Sequence, residues 1–395
     1  MIVFNRKFSP FLPWSFLILS LGVLTLKPSP LKSQDQLGDD SYPQIQLSIS
    51  GIGNGYSSPA VTEKLIYVTG EMDSLGYLMA FDWDGNEIWK NCYGPEWTLS
   101  FRGSRAAPVV DELRVYVCSG YGSLTCYHAI TGIQIWNINL VHDLGGQNVT
   151  YGYAMPVLID GDQVFCSPGG KENNIVALDK HSGNLLWSSP GVGETAGYGK
   201  PLLVRRGELK ILMTFSEFTF LGINASTGEI LWTYDLNFKG ELPCNQPVYK
   251  EGDIYIVAGP GNGAVSFHLS PDGRSIKEKW KNVDFNSFFG GFVLVDNYLV
   301  GSAESKRSYV LLNAKTGRIK SQLKFGKGVT ILADDMLIAY NQLGKLGIMN
   351  MINGELHLLQ EFRVSTGTGE HFAIPVFSKN MLLIRHGNTL TGYQI

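Results

Sequence analysis

From residue 44 onward, apolar residues come in short runs that end at Gly, Pro, Asn or Asp. Leu65 to Val68, Arg114 to Val117 and Asp253 to Val257 are typical, each setting Tyr among β-branched residues as a pleated, half-buried surface accepts them. Alternation of this kind predicts strands. A sustained 3.6-residue apolar period occurs nowhere beyond the N-terminal segment, so the body of the chain is expected to be all-β.

The runs themselves recur. Aligned on a turn glycine, copies fall at Gly85, Gly132, Gly183, Gly228, Gly273, Gly317 and Gly354, with gaps of 47, 51, 45, 45, 44 and 37 residues. Such periods belong to stacked or radial repeat architectures. The glycine supplies the positive φ of a tight turn, and an Asp or Asn ahead of it can bond the turn backbone. An aromatic follows at Trp89, Trp136, Trp187, Trp232 and Trp280, whereas Ser321 and Leu358 fall near that place in the later copies. A proline leads most copies, at Pro59, Pro108, Pro156, Pro201, Pro247 and Pro375, with Phe292 and Thr330 standing in for it elsewhere. Proline suits the first residue of a strand, where no ladder N–H is needed. Each copy therefore predicts four strands: Pro-led, Tyr-bearing, Asp-terminated and Trp-terminated. That is a propeller blade.

Seven copies are complete. An eighth starts at Pro375 and ends with the chain at Ile395, where its fourth strand is missing. The strand-like stretch Gln44 to Ser50 precedes the first blade without a partner of its own. The expectation is an eight-bladed β-propeller of four-stranded antiparallel blades over residues 44–395, its last blade closed by the N-terminal strand, so that no long edge stays open.

These repeats resemble those of the pyrroloquinoline-quinone (PQQ) type, whose signature, an Ala and Asp ahead of Thr-Gly and a Trp four residues on, is known as the tryptophan docking motif. Ala177 to Trp187, Gly222 to Trp232 and Cys126 to Trp136 carry it, and Ala80 to Trp89 is one residue shorter. The resemblance implies that Gly132, Gly183 and Gly228 with the five Trp residues are structural, each indole N–H reaching a carbonyl of the next blade. It also implies two functional classes. One comprises quinoprotein dehydrogenases, which hold PQQ and calcium on the propeller axis and oxidise alcohols or sugars. The other comprises non-catalytic propellers of the BamB type. Fold does not choose between them.

Composition adds compartment more than chemistry. Arg6 and Lys7 precede an apolar run from Phe8 to Leu26, and Pro28 and Pro30 break it. This reads as an export signal over residues 1–33, with an uncleaved membrane anchor as the alternative, followed by a polar connector over 34–43. No Cys follows the run, so no lipid anchor is expected. The formal charge of −3 gives no reason to expect nucleic acid. Five Cys cannot all pair within the chain; Cys118 and Cys126 flank a turn and either face each other or lie buried as thiols.

The dehydrogenase class calls for a vicinal Cys pair and clustered Glu, Asn and Asp ligands, and neither stands in the sequence. Asp82 to Glu87 is acidic, but its Gly is misplaced for a calcium loop and it coincides with the repeated turn. No catalytic or metal-ligating constellation is expected, and no cofactor, with PQQ and calcium as the alternative. Loops entering the Pro-led strands should gather round the axis on one face, which nominates Arg102, Arg105, Tyr153, Glu194, Lys200 and His371 as binding residues. Tyr121 and Arg307 lie on turns of the same face, and the segment Cys92 to Arg102 should expose its aromatics there. The function read from the sequence is an exported, non-catalytic scaffold for protein partners in the cell envelope. A PQQ-dependent periplasmic dehydrogenase is the alternative.

Overall fold

The structure, a computed structural model, describes residues 43–147, 149–236, 243–288 and 290–395; the export segment and the connector up to residue 42 lie outside them. Eight four-stranded antiparallel sheets form an eight-bladed propeller, and no helix occurs among the described residues. Blade 1 runs outward through Ala60–Val61, Leu65–Met72, Leu75–Asp82 and Glu87–Pro95. Blades 2 to 7 repeat that order. Blade 8 takes Val376–Ser378, Met381–His386 and Thr389–Gln394 from the C-terminus, and its outer strand is Ile45–Ser50. That strand pairs antiparallel with Thr389–Gln394, from Ile45 opposite Tyr393 to Ser50 opposite Thr389.

Alternation along the middle strands builds the core. Ile66 and Val68 point to blade 8, joining Leu47, Ile49 and Leu390, whereas Leu65 and Tyr67 point to blade 2, joining Val115 and Tyr127. The middle strands are therefore buried on both faces and read as continuous apolar runs. One apolar cluster of this kind fills each of the eight junctions between neighbouring blades.

The repeated turn and its Trp connect adjacent blades. The Nε1 atoms of Trp89, Trp136, Trp187 and Trp280 donate to the carbonyls of Ala129, Lys180, Ala225 and Ala314 in the next blade, at 2.9–3.0 Å. Each acceptor lies three residues before the next turn glycine. Gly183 shows why that residue must be Gly: its φ is +75°, and a Cβ there would stand 2.9 Å from the Trp136 ring. Within each blade the Trp faces a small residue across the ladder, as Trp136 does Cys126, Trp187 Ala177 and Trp232 Gly222. A β-bulge follows at that same step in blades 1 to 7.

Some sequence expectations change in detail. Trp187 stands inside its strand, Leu185–Ser189, rather than at its end. Blade 7 begins at Gly328, two residues ahead of Thr330, because Gly328 pairs with Asn341. Trp232 Nε1 has no hydrogen-bond partner among the described residues. At the matching offset the Ser270 carbonyl serves Arg206 and the Gly273 N–H instead, in a turn that contains Pro271. Cys118 faces Leu124 and Cys126 faces Tyr116, so the two thiols are not cross-strand partners; both are buried.

Candidate functional site

Each blade's inner strand starts on the same face, and the residues just ahead of those strands surround the axis. They line a cavity of about 490 Å3 walled by Tyr56, Arg105, Tyr198, Lys200, Asn245 and Phe372, among others. Its prolines, Pro59, Pro108 and Pro156, hold the strand entries, so a rigid rim carries the variable side chains.

Of the six nominated residues, this funnel brings two together, Arg105 and Lys200. Arg105 donates to the carbonyls of Tyr151, Ser100 and Phe101 and stacks over the Trp97 ring at 5.7 Å. Burial lowers its pKa from the ordinary arginine value. The Lys200 side chain is exposed and has no polar partner among the described residues.

The other four serve the scaffold. Arg102 grips the buried Glu71 carboxylate through two bonds of 2.6 and 2.9 Å. Those bonds, with help from Asn54 and the Ser74 N–H, hold the Glu71 pKa down at about 2. Tyr153 is buried, and its hydroxyl donates to Pro168 and Gln147 carbonyls. Glu194 accepts from the Phe218 N–H and the Thr219 hydroxyl, tying the entry loop of blade 4 to that blade's own turn. His371 stacks on His386 at 3.7 Å and meets the Tyr340 hydroxyl through Nδ1. Burial, with His386 and Arg363 nearby, lowers its pKa to about 4.

The segment from Cys92 to Arg102 also departs from expectation. Tyr93 and Trp97 are buried, whereas Leu99 and Phe101 are exposed, Phe101 with a left-handed φ of +47°. Tyr121 packs on Trp97. The acidic stretch Asp82 to Glu87 is a hairpin turn in which Asp82 accepts from the Asp84 and Asn86 N–H groups.

Sequence reasoning missed Tyr56, Tyr198, Asn245 and Phe372. The signal was present: Tyr56, Arg105, Tyr153, Tyr198 and Phe372 each stand three residues before the Pro that opens a blade. Asn245 donates to the Val257 and Ser287 carbonyls and accepts from Gly291, joining blades 5 and 6. Residues chosen by that offset, instead of by charge, would have found four of the wall residues, while Tyr153 at the same offset is buried and lies outside the lining.

A quinone held with calcium calls for hard oxygen ligands. Among the described residues no Asp or Glu lines the funnel. Among the described residues no three His, Cys, Asp or Glu side chains gather as metal ligands. The described lining does not fit that pair.

A family model described as outer membrane protein assembly factor BamB matches residues 74–323. The chain belongs to this family. It is similar to a quinoprotein ethanol dehydrogenase of Pseudomonas aeruginosa, 31% identical over 159 residues that make up 35% of this chain and 25% of that one. It is also similar to outer membrane protein assembly factor BamB of Nitrosomonas eutropha, 29% identical over 147 residues, 35% of this chain and 31% of the relative. The chain thus spans about a quarter to a third of these curated relatives. Among solved structures, BamB from Moraxella catarrhalis superposes with a TM-score of 0.66 at 15% identity, covering 89% of this chain and 97% of that one. The quinohemoprotein alcohol dehydrogenase from Comamonas testosteroni gives 0.64 at 12% identity, covering 89% and 76%. Both likenesses concern the fold.

Proposed function

We propose that this protein is an exported, non-catalytic propeller that binds a protein partner in the cell envelope. The observation that carries this reading is the disposition of acids near the axis. Glu71 is locked to Arg102, Glu194 to the Phe218 and Thr219 loop, and Glu304 to Lys327. Glu96 accepts from the Tyr93 hydroxyl and the Trp97 and Gly120 N–H groups. Each of these carboxylates fixes a loop, and none reaches the funnel wall to act as base or metal ligand. What the wall offers is a rigid, aromatic and cationic surface, which suits recognition. Export through residues 1–33 and the absence of a cofactor belong to the same proposal, and the family's description supports the envelope setting.

The test is turnover. Purified protein incubated with PQQ and calcium should give neither a bound-quinone absorbance nor dye-linked oxidation of ethanol or glucose. Turnover that depends on added PQQ would replace this reading with the dehydrogenase.

A further inference from the structure

We propose that the axial funnel is a carboxylate-binding socket that takes an acidic side chain from a loop of the partner protein. The inference rests on the scaffold reading and names the chemistry of its partner. It starts from an imbalance of donors and acceptors in the wall. Asn245 and Gln246 have their amide N–H groups bonded to backbone carbonyls, and Ser58 donates to the Ile374 carbonyl. Apart from the Gln246 amide oxygen, the wall side-chain groups still open are donors. The Lys200 ammonium and the Tyr56 hydroxyl have no polar partner among the described residues, and both line the cavity. The Tyr198 oxygen accepts the Tyr151 N–H at 2.9 Å, which leaves its own O–H to give. Arg105 Nε, itself buried, is also without a partner among the described residues. Burial raises the pKa of both Tyr56 and Tyr198, which keeps them protonated and able to donate.

The field has the same sign. Arg105 and Lys200 stand in the wall, and among the described residues no carboxylate does. Beneath them Arg385 is a fully buried cation against Gly55, the residue before Tyr56. Of the acids outside the wall, two act on its residues: Glu96, buried behind Arg105 and already bonded to three donors, and Glu370, exposed beside Tyr56. Low-dielectric walls focus such a potential into the opening. A carboxylate placed there would accept charge-assisted bonds from several donors at once.

A loop from a protein fits this site better than a free acid. The mouth is flanked by apolar surface that a small acid would leave uncovered: Phe101 and Leu99 are exposed, and Phe101 packs edge-on against Phe372, which in turn packs against Tyr56. The positive φ of Phe101 is a strained conformation held by the Arg105 bonds to the Ser100 and Phe101 carbonyls. One guanidinium therefore both walls the socket and sets the apolar rim around it.

The experiment measures fluorescence anisotropy of a labelled peptide with three consecutive glutamates between glycine–serine flanks, added to the full chain. Its glutamine counterpart is the control, with glutarate and PQQ as unlabelled competitors. The expected result is binding that the glutamine peptide loses by at least about tenfold, that Lys200→Glu weakens by a similar factor, and that added salt weakens. Lys200 makes no contact that would cost folding, so its variant should keep the parent thermal midpoint. Tyr198→Phe, which removes the hydroxyl and with it the bond from the Tyr151 N–H, should weaken binding several-fold. Equal binding of the two peptides, no binding of either, or no response to Lys200→Glu would overturn the socket. Glutarate or PQQ displacing the peptide at equal concentration would overturn the partner loop as its occupant. The scaffold reading stands or falls on the turnover assay alone, so the two failures are distinguishable.

Discussion

Arg385 is buried in full, yet no carboxylate is among the groups it bonds. Its guanidinium meets the hydroxyls of Ser57 and Ser104 and the carbonyls of Gly53, Thr69 and Gly387. Burial pulls its pKa down to about 10, still charged at neutral pH. Because four of those partners belong to the start of the chain or to blade 1 and its exit, the side chain ties the last blade to the first. Arg385→Met would leave several buried acceptors unpaired and should lower the unfolding free energy by roughly 3 kcal/mol or more, read from urea denaturation. An unchanged midpoint would remove Arg385 from the closure. Acid sensitivity is also set by single residues. In the folded state His371 takes up its proton near pH 4, against an ordinary value of 6.5, so the unfolded chain binds the proton first as pH falls. The stability His371 contributes above pH 6.5 is therefore lost between 6.5 and 4. Glu71 acts lower, its contribution present above pH 4.5 and lost as pH falls toward 2. A thermal midpoint measured against pH should fall in both windows, and His371→Gln should flatten the upper one only. A fall in the upper window that survives this substitution would refute the assignment.

At the scale of the strand and turn, Trp136 and Trp232 make a matched pair. Both indoles are 7% exposed, and both face a small residue across the ladder. Of the two, Trp136 gives its N–H to the next blade, to Lys180 at 3.0 Å, whereas Trp232 Nε1 is buried without a partner among the described residues. Trp136→Phe should therefore cost about 1–2 kcal/mol more than Trp232→Phe, since the second change removes a polar atom that was already unsatisfied. Equal losses in denaturant melts would mean that ring packing alone sets the Trp contribution. This element was legible in the sequence because the turn is local: Asp179, Gly183 and Trp187 sit within one hairpin and repeat. The funnel was less legible because the fate of a charged side chain depends on distant loops. Arg102 reads like Arg105 in sequence, but Glu71, brought in from a second strand of blade 1, takes Arg102 out of the site. Glu194 and His371 were likewise recruited by loops and rings that no spacing rule connects to them.

For the whole molecule the decisive feature is how the ring closes. Seven blades are continuous hairpins, but the eighth joins residues from opposite ends of the chain, with the Gln394 N–H bonded to the Gln44 carbonyl. Leu47 and Ile49 carry most of that junction's apolar surface from the N-terminal side, against Ile66, Val68, Leu383 and Leu390. Losing the strand would expose this cluster, uncover the edge of Thr389–Gln394 and leave Arg385 holding blades 8 and 1 together without its packing. A chain starting at Gly51 should therefore show a sharply lower thermal midpoint, and a synthetic peptide of residues 44–50 should restore part of the loss by refilling the edge. Leu47→Asp should reproduce much of the deletion's effect, because it puts a charge into the same cluster. Should the shortened chain melt at the parent temperature, closure would have to reside in the contacts between blades 8 and 1 alone. The shared blade would then be an ornament on a ring already complete.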